Sequence, residues 1–207
     1  MHSLTAIPLR FQRAQTAAVR RAEGQGVETH SDDELLRRAR RGRREAFDQL
    51  VRRHQGASLQ LAWKYLGDAA LAKDACQAAF LEVFRGLPTY QPRDRFVFWL
   101  RRILINQCRM AARSTRLRER ATRSLGRQPY PAVERPDEWL ALQERRKAVE
   151  GALQRLSEKL KEVAVLRYVS GHTLEEIAAI LELPLGTVKS RLSAAVAGLR
   201  EGLEGAP

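Results

Sequence analysis

Cysteine, aromatic residues and acid are all in short supply in this chain, and each shortage excludes something. Cys76 and Cys108 are the only cysteines, too few for a disulfide framework or a four-cysteine zinc site. His2, His30, His54 and His172 are scattered, with no carboxylate or cysteine at ligand spacing, so no metal site is expected. Aromatics make up 6% of the residues, and the apolar content is mostly Leu, Ala and Val. That composition favours helices over a β-sandwich. No run of eighteen uncharged apolar residues occurs, so no helix is expected to enter a membrane. A glycine-rich phosphate loop, a nucleophile elbow and a paired-acid arrangement are all missing. The reading is therefore of a protein without catalytic residues, cofactor or enzyme activity of its own.

What is present is base. Lys and Arg number 37 against 24 Asp and Glu, a net charge of +13 over 207 residues. A hydrophobic content of 44% is enough for a packed core. The charge is concentrated: from Arg93 to Arg127 stand eleven arginines and no lysine, against only Asp94 and Glu119. The start of that window is interleaved with Phe96, Phe98 and Trp99. A solvated helix face has no need of that mixture, whereas a surface that holds phosphates and stacks unpaired bases does. The partner is expected to be a polyanion, nucleic acid above all, and the location intracellular.

Along the chain, residues 1–30 read as a disordered basic tail. Order begins at Ser31, where Ser31-Asp32-Asp33-Glu34 spells a capping box. Helical periodicity runs through Leu35, Leu36 and Ala39, through Phe47, Leu50 and Val51, from Leu59 to Leu66, and from Leu71 to Phe84. Gly86-Leu87-Pro88 ends that series. A loop with Pro92 leads to a last helix over Phe96 to Arg113, with Trp99, Leu100, Ile103 and Leu104 facing inward. Residues 114–138 lose periodicity and gather Pro129, Pro131 and Pro136, a flexible linker. Periodicity resumes near Trp139 and continues to about Leu203. The expected fold is all-α: a helical domain over 31–113, the linker, and a second over 139–204.

The second domain carries the sharpest motif. Thr173-Leu174-Glu175-Glu176 is another capping box, and TLEEIAAILELPLGTVKSRL from Thr173 has the layout of a helix-turn-helix. Ala178 is small where the two helices cross. Leu174, Ile177, Leu181, Leu185, Val188 and Leu192 supply the core. Thr187, Lys189, Ser190 and Arg191 are left for the DNA major groove. Glu182 stands at the turn, where the backbone visits positive φ and glycine is usual, at an expected cost of about 1 kcal/mol.

LPLGTVKSRL, preceded by LSEKLKEVAVLRYVSGHTLEEIAAIL, resembles the C-terminal domain of the extracytoplasmic-function (ECF) sigma factors of bacterial RNA polymerase. In the first half, SDDELLRRARRGRREAFDQLVRRH resembles the opening of their first conserved domain. KDACQAAFLEVF resembles its polymerase-binding helix, and FWLRRILINQCR its promoter-reading helix. The resemblance implies a sigma factor that binds core polymerase, directs it to specific promoters and helps melt the DNA. Asp74, Gln77 and Phe80 would meet the clamp helices of the largest subunit, and the flap region of core polymerase is a further implied contact. Tyr90, Arg93, Arg95, Phe96 and Trp99 would capture an unstacked minus-10 base. Arg101, Arg102, Asn106, Arg109 and Arg113 would face the adjoining duplex, while Thr187, Lys189, Ser190 and Arg191 would read the minus-35 element. An anti-sigma factor is the implied inhibitor. Lys73 and Ala78 stand where family members carry acids, and Ser193-Ala194-Ala195-Val196-Ala197 where they carry bases. Two other readings are a stand-alone helix-turn-helix regulator of duplex DNA and a helical adaptor. The first has no use for the aromatic–arginine stretch; the Ala-rich last helix alone favours the second.

Overall fold

The structure, a computed structural model, describes residues 30–91, 95–121 and 147–204, with side chains of the middle stretch described to residue 115. Most of the basic tail, Arg93, the rest of the linker and the helix start at Trp139 lie outside the described residues. Regular structure among those described is entirely helical.

Helix α1 spans Asp32–Arg40 and α2 spans Arg44–Leu66. The Ser31 hydroxyl accepts the Glu34 amide at 3.2 Å, as a cap should. The reciprocal half of the expected capping box is not made. The Glu34 carboxylate turns outward to Arg37 and Arg38, at 3.1 and 3.0 Å. Two arginines one turn further on compete for it better than a single backbone amide does. Gly42, at φ 84°, makes the break to α2. The two periodic stretches before Leu66 prove to be one continuous helix, closed by Gly67 in the left-handed conformation.

Helix α3, Ala69–Gly86, begins on the Asp68 carboxylate, which accepts the Leu71 amide at 2.9 Å. Helix α4 starts at Phe96 and continues past the expected end at Arg113 to Ala121. Nothing between Arg113 and Ala121 is Gly or Pro, and the arginines there are good helix formers, so no stop signal exists. Leu35, Leu36, Leu50, Leu61, Tyr65, Leu100 and Leu104 are buried between these four helices.

The second half comprises α5 (residues 147–155) and α6 (Glu158–Ala164), whose last turn, Val165–Val169, widens to π-helical geometry. Then come α7 (Leu174–Leu181) and α8 (Leu185–Glu204). Two glycines of α8 have a packing reason. A Cβ at Gly198 would lie 2.8 Å from Leu156, and one at Gly202 would lie 2.9 Å from the Cβ of Ala152. Small residues let α8 lie close against α5.

The two halves also touch. The Gln154 amide donates to the Lys64 carbonyl at 3.0 Å, finishing the C-terminus of α2 from across the boundary. Gly67 gives it room, since a Cβ there would sit 2.9 Å from the Gln154 side chain. Buried apolar residues of both halves form one continuous cluster.

Candidate nucleic-acid interface

At the start of α4 the aromatics expected from the sequence do gather. Tyr90 and Trp99 are stacked, ring centroids 4.3 Å apart and planes 20° apart. Both are half-buried. Phe96 lies edge-on to Tyr90, Trp99 and His54 and is buried, so it supports the other rings rather than presenting a face of its own. The loop that carries Tyr90 is held by Arg40, whose guanidinium donates to the carbonyls of Tyr90 and Pro88 at 3.2 and 3.3 Å. Arg95 is exposed beside this group.

The cations of α4 divide into two sets. Arg101 is buried, and its guanidinium donates to Ser58 at 3.3 Å. Burial pushes its pKa down to about 10. Arg102, Arg109 and Arg113 instead line the side that faces the second half. Arg109 grips Glu162 through both Nε and Nη2, the latter at 2.5 Å, and also donates to Asn106 at 3.1 Å. Arg102 pairs with Glu182, and Arg113 lies 3.8 Å from Glu158. Asn106 is exposed.

The helix-turn-helix has the layout read from its sequence. Thr173 accepts the Glu176 amide at 3.1 Å, and Glu176 accepts the Thr173 amide at 2.9 Å, a complete capping box. Glu182 adopts the left-handed conformation, φ 52° and ψ 51°. It is the one described non-glycine residue at positive φ. Val188 is buried, Lys189 and Ser190 are exposed, and Thr187 and Arg191 are partly exposed. The Ser190 hydroxyl donates back to the Thr187 carbonyl at 3.0 Å. Beside this helix runs an open groove formed by Tyr168, Leu174, Leu192 and Val196 with the cations Lys189 and Arg200.

On α3, Asp74 and Gln77 are exposed while Phe80 is buried. Two neighbours escaped the sequence reading: Leu81 and Phe84 are each half exposed, Phe84 edge-on to Phe47 at 5.1 Å. With Gln77 they form a stripe at helical spacing, out of phase with the buried Ala72, Cys76, Ala79 and Val83. That phase mismatch was visible in the sequence. Cys76 and Cys108 are both free and buried, and burial pushes the Cys108 thiol up to about 12. Among the described residues, no group of three or more His, Cys, Asp or Glu could hold a metal ion. No described helix is long and apolar enough to cross a membrane.

A helical unit with an aromatic–arginine helix, followed by a capped helix-turn-helix, is the layout of a transcription protein. Sigma-70 region 2 matches residues 50–118, and sigma-70 region 4 matches residues 152–201. The RNA polymerase sigma-H factor of Pseudomonas aeruginosa is 32% identical over 181 residues, covering 84% of this chain and 94% of that one. The ECF RNA polymerase sigma-E factor of Escherichia coli is 28% identical, covering 78% and 88%. Among solved structures, CnrH in complex with the cytosolic domain of CnrY is similar with a TM-score of 0.65 at 27% identity, over 85% of this chain and 99% of that one. The sigma factor RpoE of Bartonella quintana, solved with the anti-sigma factor NepR, has a TM-score of 0.57 at 26% identity, over 78% and 98%. The chain belongs to the sigma-70 family and is an RNA polymerase sigma factor of the ECF group.

Proposed function

We propose the following division of labour among the residues of this sigma factor. Asp74 and Gln77, extended by Leu81 and Phe84, form the face of α3 that meets the clamp helices of core polymerase, and Phe80 braces it from below. Tyr90 and Trp99, with Arg93 and Arg95, capture a minus-10 base flipped from the melting strand. Stacking on such rings is worth about 1–3 kcal/mol per base. Phe96 holds that platform in place, while Arg101, expected from the sequence to face duplex DNA, is buried against Ser58 and stays out of the contact. Arg102, Asn106, Arg109 and Arg113 face the neighbouring duplex phosphates, which position without reading sequence. Thr187, Lys189, Ser190 and Arg191 read the minus-35 element in the major groove.

The observation that carries this reading is the Tyr90–Trp99 stack at the head of an arginine-lined helix in the same chain as a capped helix-turn-helix. A platform for unpaired bases beside a duplex reader suits promoter melting, and a simple repressor has no use for the first part. The groove beside Leu192 and Val196 suits an apolar helix of the polymerase flap region. Both solved relatives carry an anti-sigma factor or a partner's cytosolic domain, and an anti-sigma inhibitor is proposed here too. The working site is the cytoplasm, at the nucleoid.

Run-off transcription tests the reading, using purified core polymerase and fragmented genomic DNA with and without the full chain. New discrete transcripts are expected. Absence of transcripts together with no retention on core polymerase would sink it.

A further inference from the structure

The promoter-facing arginines of α4 are already occupied, and by this chain's own acids. Glu158 and Glu162 lie one turn apart on α6, and Arg113 and Arg109 lie one turn apart on α4. They pair in antiparallel order, Arg113 with Glu158 and Arg109 with Glu162. Two turns back along α4, Arg102 meets Glu182 at the turn of the helix-turn-helix. Glu162 is 1% exposed, so its charge is compensated by Arg109 rather than by water. Around these pairs the Phe98 ring packs edge-on to His172 at 5.9 Å, and Lys64 pairs with Glu150 at 2.5 Å. Carboxylates at helical spacing, presented to a row of guanidiniums, offer what a phosphate backbone offers: negative oxygens in series.

We infer that Glu162, flanked by Glu158 and by the more exposed and weaker Glu182, acts as a built-in phosphate mimic that holds the chain closed and masks the duplex-facing side of α4 until the two halves are separated. The inference rests on the proposed role of that arginine face. Closure and duplex binding use the same guanidiniums, so they exclude each other. Lys189 and Ser190 stay exposed in the closed chain, so the mask falls on the first half's DNA face and leaves the recognition helix accessible. A closed population of nine-tenths would weaken duplex binding about tenfold, because only the open fraction is competent.

The test reads closure and DNA binding separately on the full chain. Dyes are placed at Gln49→Cys and Glu201→Cys, both exposed positions, while the two buried native thiols stay unlabelled. Energy transfer should be high in this parent. In a variant that adds Glu158→Gln, Glu162→Gln and Glu182→Gln it should be low, with about tenfold tighter binding of a fluorescent random-sequence duplex. A control with the same charge change at exposed, distant acids (Glu45→Gln, Asp48→Asn, Glu204→Gln) should alter neither readout. Arg109→Glu alone should open the chain, and adding Glu162→Arg should reclose it.

Low transfer in the parent, or unchanged transfer in the triple variant, would overturn closure. Opening without tighter duplex binding would overturn masking. A charge swap that fails to reclose the chain would remove the ion pairs as the cause. Run-off transcription by the unaltered chain is scored independently, so failure of the sigma reading shows as missing transcripts whatever the transfer values are.

Discussion

Tyr90 lies flat on Trp99 across the turn between α3 and α4, and Gly86 is what allows it. A Cβ at Gly86 would come within 2.8 Å of the Trp99 ring, the same ring that stacks on Tyr90. The stack is therefore a property of three positions rather than two. Gly86→Ala should displace the indole without removing it. Loss of one base-stacking contact, about 1–3 kcal/mol, corresponds to a fall in open-complex formation of about five- to 150-fold. Permanganate footprinting of melted promoter DNA would measure it, and retention on core polymerase should be unchanged. Trp99→Ala should give the same split. Equal loss of melting and core binding would instead mark a folding defect.

Glu182 spends its backbone in a conformation that suits glycine. Its ion pair with Arg102 compensates little, because the Glu182 side chain is 70% exposed. Two substitutions separate the terms. Glu182→Gln keeps the left-handed strain and loses the pair; Glu182→Gly loses both. The glycine variant should be more stable than the glutamine variant by about 1 kcal/mol, measured by urea denaturation. Equal stabilities would mean that the turn carries no strain.

His172 should make the chain sensitive to mild acid. Its Nδ1 lies 3.0 Å from the Glu176 carboxylate, Phe98 packs against its ring, and Arg101 adds a like charge nearby. Burial, the largest influence, lowers its pKa below the usual 6.5 even though Glu176 acts to raise it. The unfolded chain therefore binds this proton more readily than the native one. The contribution of neutral His172 to stability is complete above the unfolded value and is lost as pH falls from there through the lowered native value. Urea midpoints should drop between about pH 7 and pH 5, and His172→Gln should flatten that slope. Asp32 acts in a separate, lower window. Burial raises its pKa, but His54 and Arg53 outweigh burial and hold it below 3.8.

The recognition helix predicts two different signatures. Lys189 is exposed, and within the proposed minus-35 interface its ammonium is the group offered to phosphate as well as to the groove, so Lys189→Ala should weaken promoter binding at every sequence and reduce the salt slope by about one. Arg191, partly exposed one residue beyond Ser190, is the proposed base reader. Arg191→Ala should cost about 1–3 kcal/mol at the preferred minus-35 sequence and little elsewhere. Binding titrations over a range of salt, with matched and scrambled sites, distinguish the two. A salt slope that moves with Arg191 and not with Lys189 would reverse the assignment.

How much of this was legible in the sequence depends on whether the deciding interaction was local. The Thr173 capping box, the left-handed Glu182 and the burial of Val188 follow from neighbours within one or two turns, and the chain spells them out. Glu34 shows the limit of a local motif: its capping partner was right, but Arg37 and Arg38 lay within the same reach and took its carboxylate. The burial of Arg101 against Ser58 and the docking of Gln154 on Lys64 depend on residues far away in sequence. Periodicity places such residues on a helix face but does not say what meets that face. For the same reason Arg109 and Arg113 read as free cations, whereas folding sets them against Glu162 and Glu158.

Leu81 and Phe84 are large apolar side chains held in water at the end of α3, with relative exposures of 50% each. Their removal should cost the isolated chain little, because neither is buried in its core. Their burial under a partner, by contrast, would contribute up to about 1.5–3 kcal/mol per side chain. A face that combines Asp74 and Gln77 with these two joins polar and apolar groups, as docking surfaces do. Leu81→Ser should therefore leave the urea midpoint close to that of the parent and weaken retention on core polymerase about tenfold. Phe84→Ala should do the same with a small loss of stability, since Phe84 also packs on Phe47. Competition binding against the unaltered chain, read alongside the urea midpoints, measures both effects at once. Unchanged affinity in both variants would move the polymerase contact off this end of α3 and leave Asp74 and Gln77 to carry it.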